Sequence, residues 1–125
     1  AALAGDLASI IPYLGEAHTR ERHADYLRDP SAFARFRRDA AAILERGVRA
    51  CYGPALGAMG RAYFDGLVFA PDPQRAYAYE LASIWRWGSV PAHSITLRHY
   101  GQALDPVQLG QAVGFARQLW RAHCM

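Results

Sequence analysis

The side chains in this chain that could do chemistry are spaced in a way that fits no common metal site. His18 and His23 lie five positions apart, and His93 and His99 lie six apart. Two ligands on one face of a helix are normally separated by about four positions, as in the zinc-binding His-Glu-x-x-His motif. We therefore expect these histidines to lie on charged helix surfaces, and we expect no metal ion.

The sequence also offers no recognisable nucleophile or phosphate-binding loop. No serine occupies a Gly-x-Ser-x-Gly turn, and a phosphate-binding loop would need a lysine, whereas all 14 basic residues are arginine. We expect no catalytic residue and no cofactor, and nothing in the sequence indicates a small-molecule ligand. An alternative is that the chain is a helical domain of an enzyme whose active site needs residues outside it.

The charge pattern argues against nucleic acid as the main partner. The net charge is +3, but 11 acidic residues are interleaved with the basic ones. Within residues 20–38, Glu21, Asp25 and Asp29 separate the arginines, which is typical of a solvated, salt-bridged helix face. An acidic partner for this stretch and weak nucleic-acid binding remain alternatives, and the latter would weaken steeply with salt.

The two cysteines are Cys51, at the end of the second predicted helix, and Cys124, the penultimate residue. In an elongated helical stack these positions belong to different units, and we expect them to be too far apart to form a disulfide. Cys51 would then act as a small buried apolar residue and Cys124 as an exposed thiol.

Localisation is not determined by the sequence. No stretch approaches the roughly 20 apolar residues needed to cross a bilayer, so we expect no membrane insertion. The chain begins Ala-Ala-Leu-Ala without Met. We expect that either a signal segment or another upstream segment was removed, so a bacterial periplasm or envelope and the cytoplasm both remain open.

The elements that must position these side chains are predicted to be helices. Three Asp-Pro pairs open alanine-rich apolar stretches, at residues 29–30, 72–73 and 105–106. Asp caps the free amides of a first helical turn, and Pro fits the position after it. Apolar residues recur at helical rather than strand spacing. We predict an all-α fold of about six helices, near residues 6–27, 30–52, 55–65, 73–85, 92–103 and 106–122.

A repeated register within these helices predicts a stack. Ala40, Ala76 and Ala112 are 36 residues apart, and Ile43, Tyr79 and Phe115 show the same interval. Periods of about 20–50 residues are typical of stacked helix pairs. We predict one domain over residues 1–125, a superhelical stack of antiparallel helix pairs. It comprises a divergent pair at 1–52, a clear unit at 53–88 and a degenerate unit or cap at 89–125.

The middle unit resembles a Sel1-like repeat, a relative of the tetratricopeptide repeat. The resemblance is carried by Met59-Gly60, Tyr63, Gly66, Asp72, Arg75-Ala76 and Tyr79. The sequence departs from the family pattern at Val68 and Ser83-Ile84, where the family favours glycine and small residues, and its closing glycine is displaced to Gly88. The last unit keeps only Asp105, Gln111-Ala112 and Phe115.

This resemblance implies a scaffold or adaptor that binds a protein or peptide without catalysis, in bacterial envelope, secretion or signalling assemblies. An immunity protein that neutralises a toxin is a narrower hypothesis. By analogy with the family, the partner-binding groove would be lined by Gly57, Arg61, Phe64 and Asp65 of the third helix, with Arg98 and His99 of the fifth. The alternative for Phe64 is that it caps the core against the next unit.

A second aromatic patch is predicted at the end of the fourth helix. Trp85, Arg86 and Trp87 are consecutive, so their side chains splay around the helix axis. We expect one tryptophan to seal the junction between units and the other to pack there as well, the alternative being that it is exposed against Arg86 or a ligand. Tyr77 lies on the opposite side from Tyr79, where it could face solvent.

Overall fold

The computed structural model describes residues 28–88 and 91–125, and this part of the chain is entirely helical. Five helices are present there, and no strand. The predicted all-α class is therefore confirmed, whereas the helix predicted near residues 6–27 lies outside the described residues. The helices are α1 (Pro30–Arg49), α2 (Gly53–Asp65), α3 (Pro73–Trp87), α4 (Pro91–Gly101) and α5 (Pro106–His123).

The three Asp-Pro pairs begin helices α1, α3 and α5, as predicted. The carboxylates of Asp29, Asp72 and Asp105 each accept a hydrogen bond from the amide three residues later, at 3.1, 3.1 and 2.8 Å. At α5, the amide of Asp105 also donates to the side-chain Oε1 of Gln108, which completes a capping box. Each cap satisfies an amide that the helix itself leaves free, at a gain of about 1 kcal/mol.

Gly66 ends α2 and reverses the chain toward α3. Its φ of +74° lies in the left-handed region, and its amide donates to the carbonyl of Ala62. The amide of Asp72 then donates to the carbonyl of Tyr63 at 2.9 Å, which holds the connecting segment back against α2. Glycine is favoured at such a helix end because it lacks a Cβ.

Helix α3 occupies the centre of the described structure. It packs against α2, α4 and α5, while α1 packs on α2 and also reaches α5. Gly60 allows the backbones of α2 and α3 to approach closely, since a Cβ there would lie 3.0 Å from the carbonyl oxygen of Ala76 in α3. The main buried cluster draws on four of the helices and includes Ala40, Leu44, Val48, Leu56, Met59, Ala62, Tyr79, Ala82 and Leu119.

A disulfide between Cys51 and Cys124 corrects one expectation from the sequence. The Cα atoms of the two residues are 5.2 Å apart and the sulfur atoms are bonded, so the prediction that they are too far apart is wrong. The prediction failed because it placed the cysteines in separate units of an elongated stack, whereas α1 and α5 are direct neighbours in the folded protein.

Candidate functional site

Helices α2 and α4 bring four of the predicted groove residues to one surface. Arg61, Phe64 and Asp65 are exposed on α2, and His99 is exposed on α4. The ring of Phe64 lies 5.0 Å from that of His99 and 4.4 Å from that of Tyr100, measured between centroids. We call Arg61, Phe64, Asp65, His99 and Tyr100 the α2–α4 patch.

Tyr100 forms the buried base of this patch, and the sequence analysis did not select it. Its side chain is only 5% exposed. Burial raises the pKa of the Tyr100 hydroxyl to about 12, and the negative charge of Glu80 adds to the rise while Arg61 opposes it. The hydroxyl therefore stays protonated at neutral pH. From the sequence, Tyr100 could have been selected because it directly follows His99.

Glu80 is the second residue of this region that the sequence analysis missed. It is the only acidic residue of α3, it is only 3% exposed, and it makes contacts within the protein. A carboxylate buried in this way is retained when polar neighbours compensate for the loss of water. From the sequence, Glu80 could have been recognised because it is a lone acidic residue in the middle of an apolar helix.

The remaining two predicted groove residues lie at the margins of the patch. Gly57 is half-buried, and a Cβ there would meet the Ser83 hydroxyl of α3 at 3.4 Å, so this position faces α3. Arg98 is exposed on α4, next to His99 in sequence. The structure thus places Gly57 at a helix contact and Arg98 in solvent beside the patch.

The predicted aromatic patch lies at the C-terminal end of α3, and its two tryptophans pack differently. Trp85 packs edge-to-face against Trp120 of α5, with ring centroids 6.1 Å apart. Trp87 is 57% exposed, and its indole covers Gly53 so closely that a Cβ at that position would overlap it. Trp85 therefore joins α3 to α5, whereas Trp87 covers the start of α2.

Arg86 and Tyr77 also make contacts with neighbouring elements. The Nε–H of Arg86 donates to the carbonyl oxygen of Cys51 at 3.2 Å. The ring of Tyr77 is half-buried and lies where a Cβ on Gly101 would meet it at 3.2 Å. Tyr77 thus packs between α3 and α4 and is only partly open to solvent.

Within residues 28–88 and 91–125 the structure holds no group of three or more His, Cys, Asp or Glu side chains arranged to bind a metal ion. His18 and His23 lie outside the described residues, as does the side chain of His93. In the same part of the chain, no helix is both long enough and apolar enough to cross a membrane.

No protein-family model, curated protein or solved structure matches the chain. The resemblance to a Sel1-like repeat therefore rests on the motif residues themselves. Among these residues, Gly60 lies where α2 and α3 are in close contact, Gly66 ends α2, and Asp72 caps α3. The ring of Tyr63 stacks on that of Tyr79 inside this helical hairpin.

Proposed function

We propose that this protein is a non-catalytic, protein-binding module of Sel1-like type, a superhelical stack whose partner contacts the α2–α4 patch. The observation that supports this most directly is Phe64. Its side chain stays 37% exposed although it packs on two other rings, and it lies between an exposed arginine and an exposed aspartate. Aromatic residues surrounded by polar groups are typical of the residues that dominate interface energies.

The patch suits binding because its aromatic part is already ordered. Tyr100 is buried beneath Phe64, and the two rings are stacked at an interplanar angle of 25°. A side chain that is fixed before binding loses less conformational entropy on association. The free face of Phe64 would contact an apolar side chain of the partner.

The two charged residues of α2 would orient the partner. Arg61 precedes Phe64 by about one helical turn and Asp65 follows it directly, so opposite charges lie on both sides of the ring. Complementary charges at the rim of an interface contribute more to specificity and association rate than to affinity. We expect the partner to place an acidic group near Arg61 and a basic group near Asp65.

The disulfide favours an oxidising compartment for this function. Disulfides persist in secreted and periplasmic proteins and are rare where cellular thiols are kept reduced. The Cys51–Cys124 bond would therefore suit a module of the bacterial envelope or of a secretion pathway. A partner that is a toxin would make the protein an immunity factor.

Affinity capture followed by calorimetry tests the proposal. The tagged protein is used to isolate a partner from a bacterial extract, and the purified partner is titrated against the wild type and two double variants. Arg61→Glu with Phe64→Ala alters the patch, whereas Val107→Ala with Arg117→Glu makes a similar change at exposed positions of α5. The partner should bind stoichiometrically and without turnover.

We expect the patch variant to bind at least about 10-fold more weakly, a loss of about 1.4 kcal/mol, and the α5 control to bind like the wild type. Circular dichroism verifies that both variants remain helical. Wild-type affinity in a folded patch variant would contradict the assignment of the patch, and turnover of the captured molecule would contradict a non-catalytic role.

A further inference from the structure

A second concave surface lies between α1 and the segment that joins α2 to α3, and it shares no residue with the α2–α4 patch. It is an open surface depression with a volume of about 730 Å³. We call it the α1 groove. Among the described residues, its lining includes Ser31, Ala34, Arg35, Arg37, Arg38, Ala41, Val68 and Phe69.

The floor and one wall of the α1 groove are held in place by specific contacts. Val68 is buried, and the ring of Phe69 stacks on Tyr63 with centroids 4.5 Å apart. The Nε–H of Arg37 donates to the carbonyl oxygen of Val68 at 3.3 Å, and the Arg37 guanidinium lies over the ring of Phe33. The apolar floor is therefore formed before any ligand binds.

The other two arginines of the groove are available to a ligand. Arg35 and Arg38 are exposed, and in the part of the chain that the structure describes neither makes a hydrogen bond or an ion pair. Guanidinium groups bind carboxylates through two parallel hydrogen bonds, which a lysine cannot do. Both side chains line a groove whose floor is apolar, so an acidic ligand with an apolar part complements it.

The charge of α1 as a whole acts in the same direction. The helix carries five arginines and only two acidic residues, Asp39 and Glu45. The groove lies along its N-terminal half, beside three of the five arginines. This excess of positive charge attracts an anionic segment to this part of α1.

We propose that the α1 groove binds an acidic segment of a partner protein, with an apolar side chain on Val68 and Phe69 and carboxylates on Arg35 and Arg38. A single-stranded nucleic acid fits less well. Such ligands stack successive bases on exposed aromatic side chains, whereas Phe69, the one aromatic residue among the described lining residues, is half-buried.

Fluorescence anisotropy with short labelled peptides tests this proposal. The probes carry Glu at both ends and two varied apolar residues between them, and matched peptides carry Gln in place of Glu. The test variant is Arg35→Glu with Arg38→Glu. Arg46→Glu with Arg49→Glu makes the same change of charge on the same helix, at exposed positions outside the groove. A labelled single-stranded oligonucleotide is titrated in parallel.

We expect saturable binding of acidic peptides and at least about 10-fold weaker binding of the Gln peptides and of the groove variant. The control variant should bind within about twofold of the wild type. The proposal is overturned if no acidic peptide binds saturably or if both charge-reversal variants weaken binding equally. Tighter, groove-dependent binding of the oligonucleotide would also overturn it. Because the four arginines are exposed, thermal unfolding should confirm that all variants are folded.

Discussion

The side chain of Arg86 donates a hydrogen bond to the carbonyl oxygen of Cys51 at 3.2 Å, and the sulfur of Cys51 is bonded to Cys124. The C-terminal end of α3 is thereby connected to the turn between α1 and α2, and that turn is connected covalently to the end of α5. Cys51 itself adopts a φ of +50°, which is uncommon outside glycine. Four helix ends are therefore fixed around one residue.

Loss of the disulfide should lower the stability of the protein substantially. The bond closes a loop of 73 residues, and the chain-entropy model assigns about 4 kcal/mol to a loop of this length. We expect Cys51→Ser with Cys124→Ser to reduce the free energy of unfolding by about this amount, measured by urea denaturation under circular dichroism. Wild type treated with a reductant should match the double variant, and the double variant should not respond to reductant. Identical denaturation midpoints for oxidised and reduced wild type would contradict the prediction.

A methyl group at Gly60 should destabilise the contact between α2 and α3. The Cβ of Gly60→Ala would lie 3.0 Å from the carbonyl oxygen of Ala76 and 3.3 Å from the amide nitrogen of Glu80, both backbone atoms that cannot rotate away. The helices must then separate, at a cost of about 1–3 kcal/mol.

Gly110→Ala is the matched control for this substitution. Gly110 is exposed on α5, and a Cβ there meets no atom within 4 Å. The higher helix propensity of alanine should stabilise this variant by up to about 1 kcal/mol. Chemical denaturation compares the two variants, and a shift of the same sign in both would show that the contact at Gly60 is not the cause.

The features of this fold that depend on residues close together in the chain could be predicted from the sequence. The contacts between residues far apart in the chain could not. The Asp-Pro pairs identified the starts of α1, α3 and α5 because an N-cap depends on residues within one turn. The pairing of Cys51 with Cys124 depends on α1 and α5 packing together, and nothing near either cysteine encodes that contact.

The same distinction applies to the candidate site. Arg61, Phe64 and Asp65 were selected by analogy with the Sel1-like repeat, in which Leu56, Met59 and Gly60 take the packing positions of the same helix. Tyr100 and Glu80 were missed because their burial results from the packing of α2, α3 and α4 together. Exposure on one helix can be predicted from its period, whereas burial between several helices requires the tertiary structure.

Two adjacent residues of α2 connect the two proposed binding surfaces. Tyr63 supports the floor of the α1 groove by stacking on Phe69, and Phe64 is the exposed ring of the α2–α4 patch. Successive residues of a helix point about 100° apart, so one turn of α2 can serve both surfaces. A partner could therefore contact either surface without covering the other.

Ionisation of two buried tyrosines should destabilise the protein at high pH. Burial raises the pKa of Tyr79 and that of Tyr100 from 10.0 to about 12 each. The unfolded chain loses these protons near pH 10, whereas the folded protein holds them until about pH 12. Their contribution to stability is therefore complete below pH 10 and is lost as the pH rises from 10 to 12.

The measurement is the free energy of unfolding in urea at a series of values from pH 9 to 12. We expect a decline that is steepest between pH 10 and 12 and that is smaller in Tyr79→Phe and in Tyr100→Phe. Absorbance at the tyrosinate band follows ionisation directly, and its highest-pH step should lose amplitude in each variant. An unchanged pH dependence in both variants would contradict the assignment.

The capping box of α5 should make Asp105 more important for stability than Asp29. Asp105 accepts a hydrogen bond from the Gln108 amide at 2.8 Å and its own amide donates to the Gln108 side chain at 2.9 Å, whereas Asp29 makes a single capping bond of 3.1 Å. We expect Asp105→Ala to cost about 1–2 kcal/mol and Asp29→Ala about 1 kcal/mol or less. Asp105→Asn retains an acceptor at the same position and should cost less than Asp105→Ala.

Gln108→Ala removes the reciprocal bond alone. A double-mutant cycle with Asp105→Ala therefore gives the coupling energy between the two hydrogen bonds of the box. A coupling of zero would show that the box acts as two independent caps.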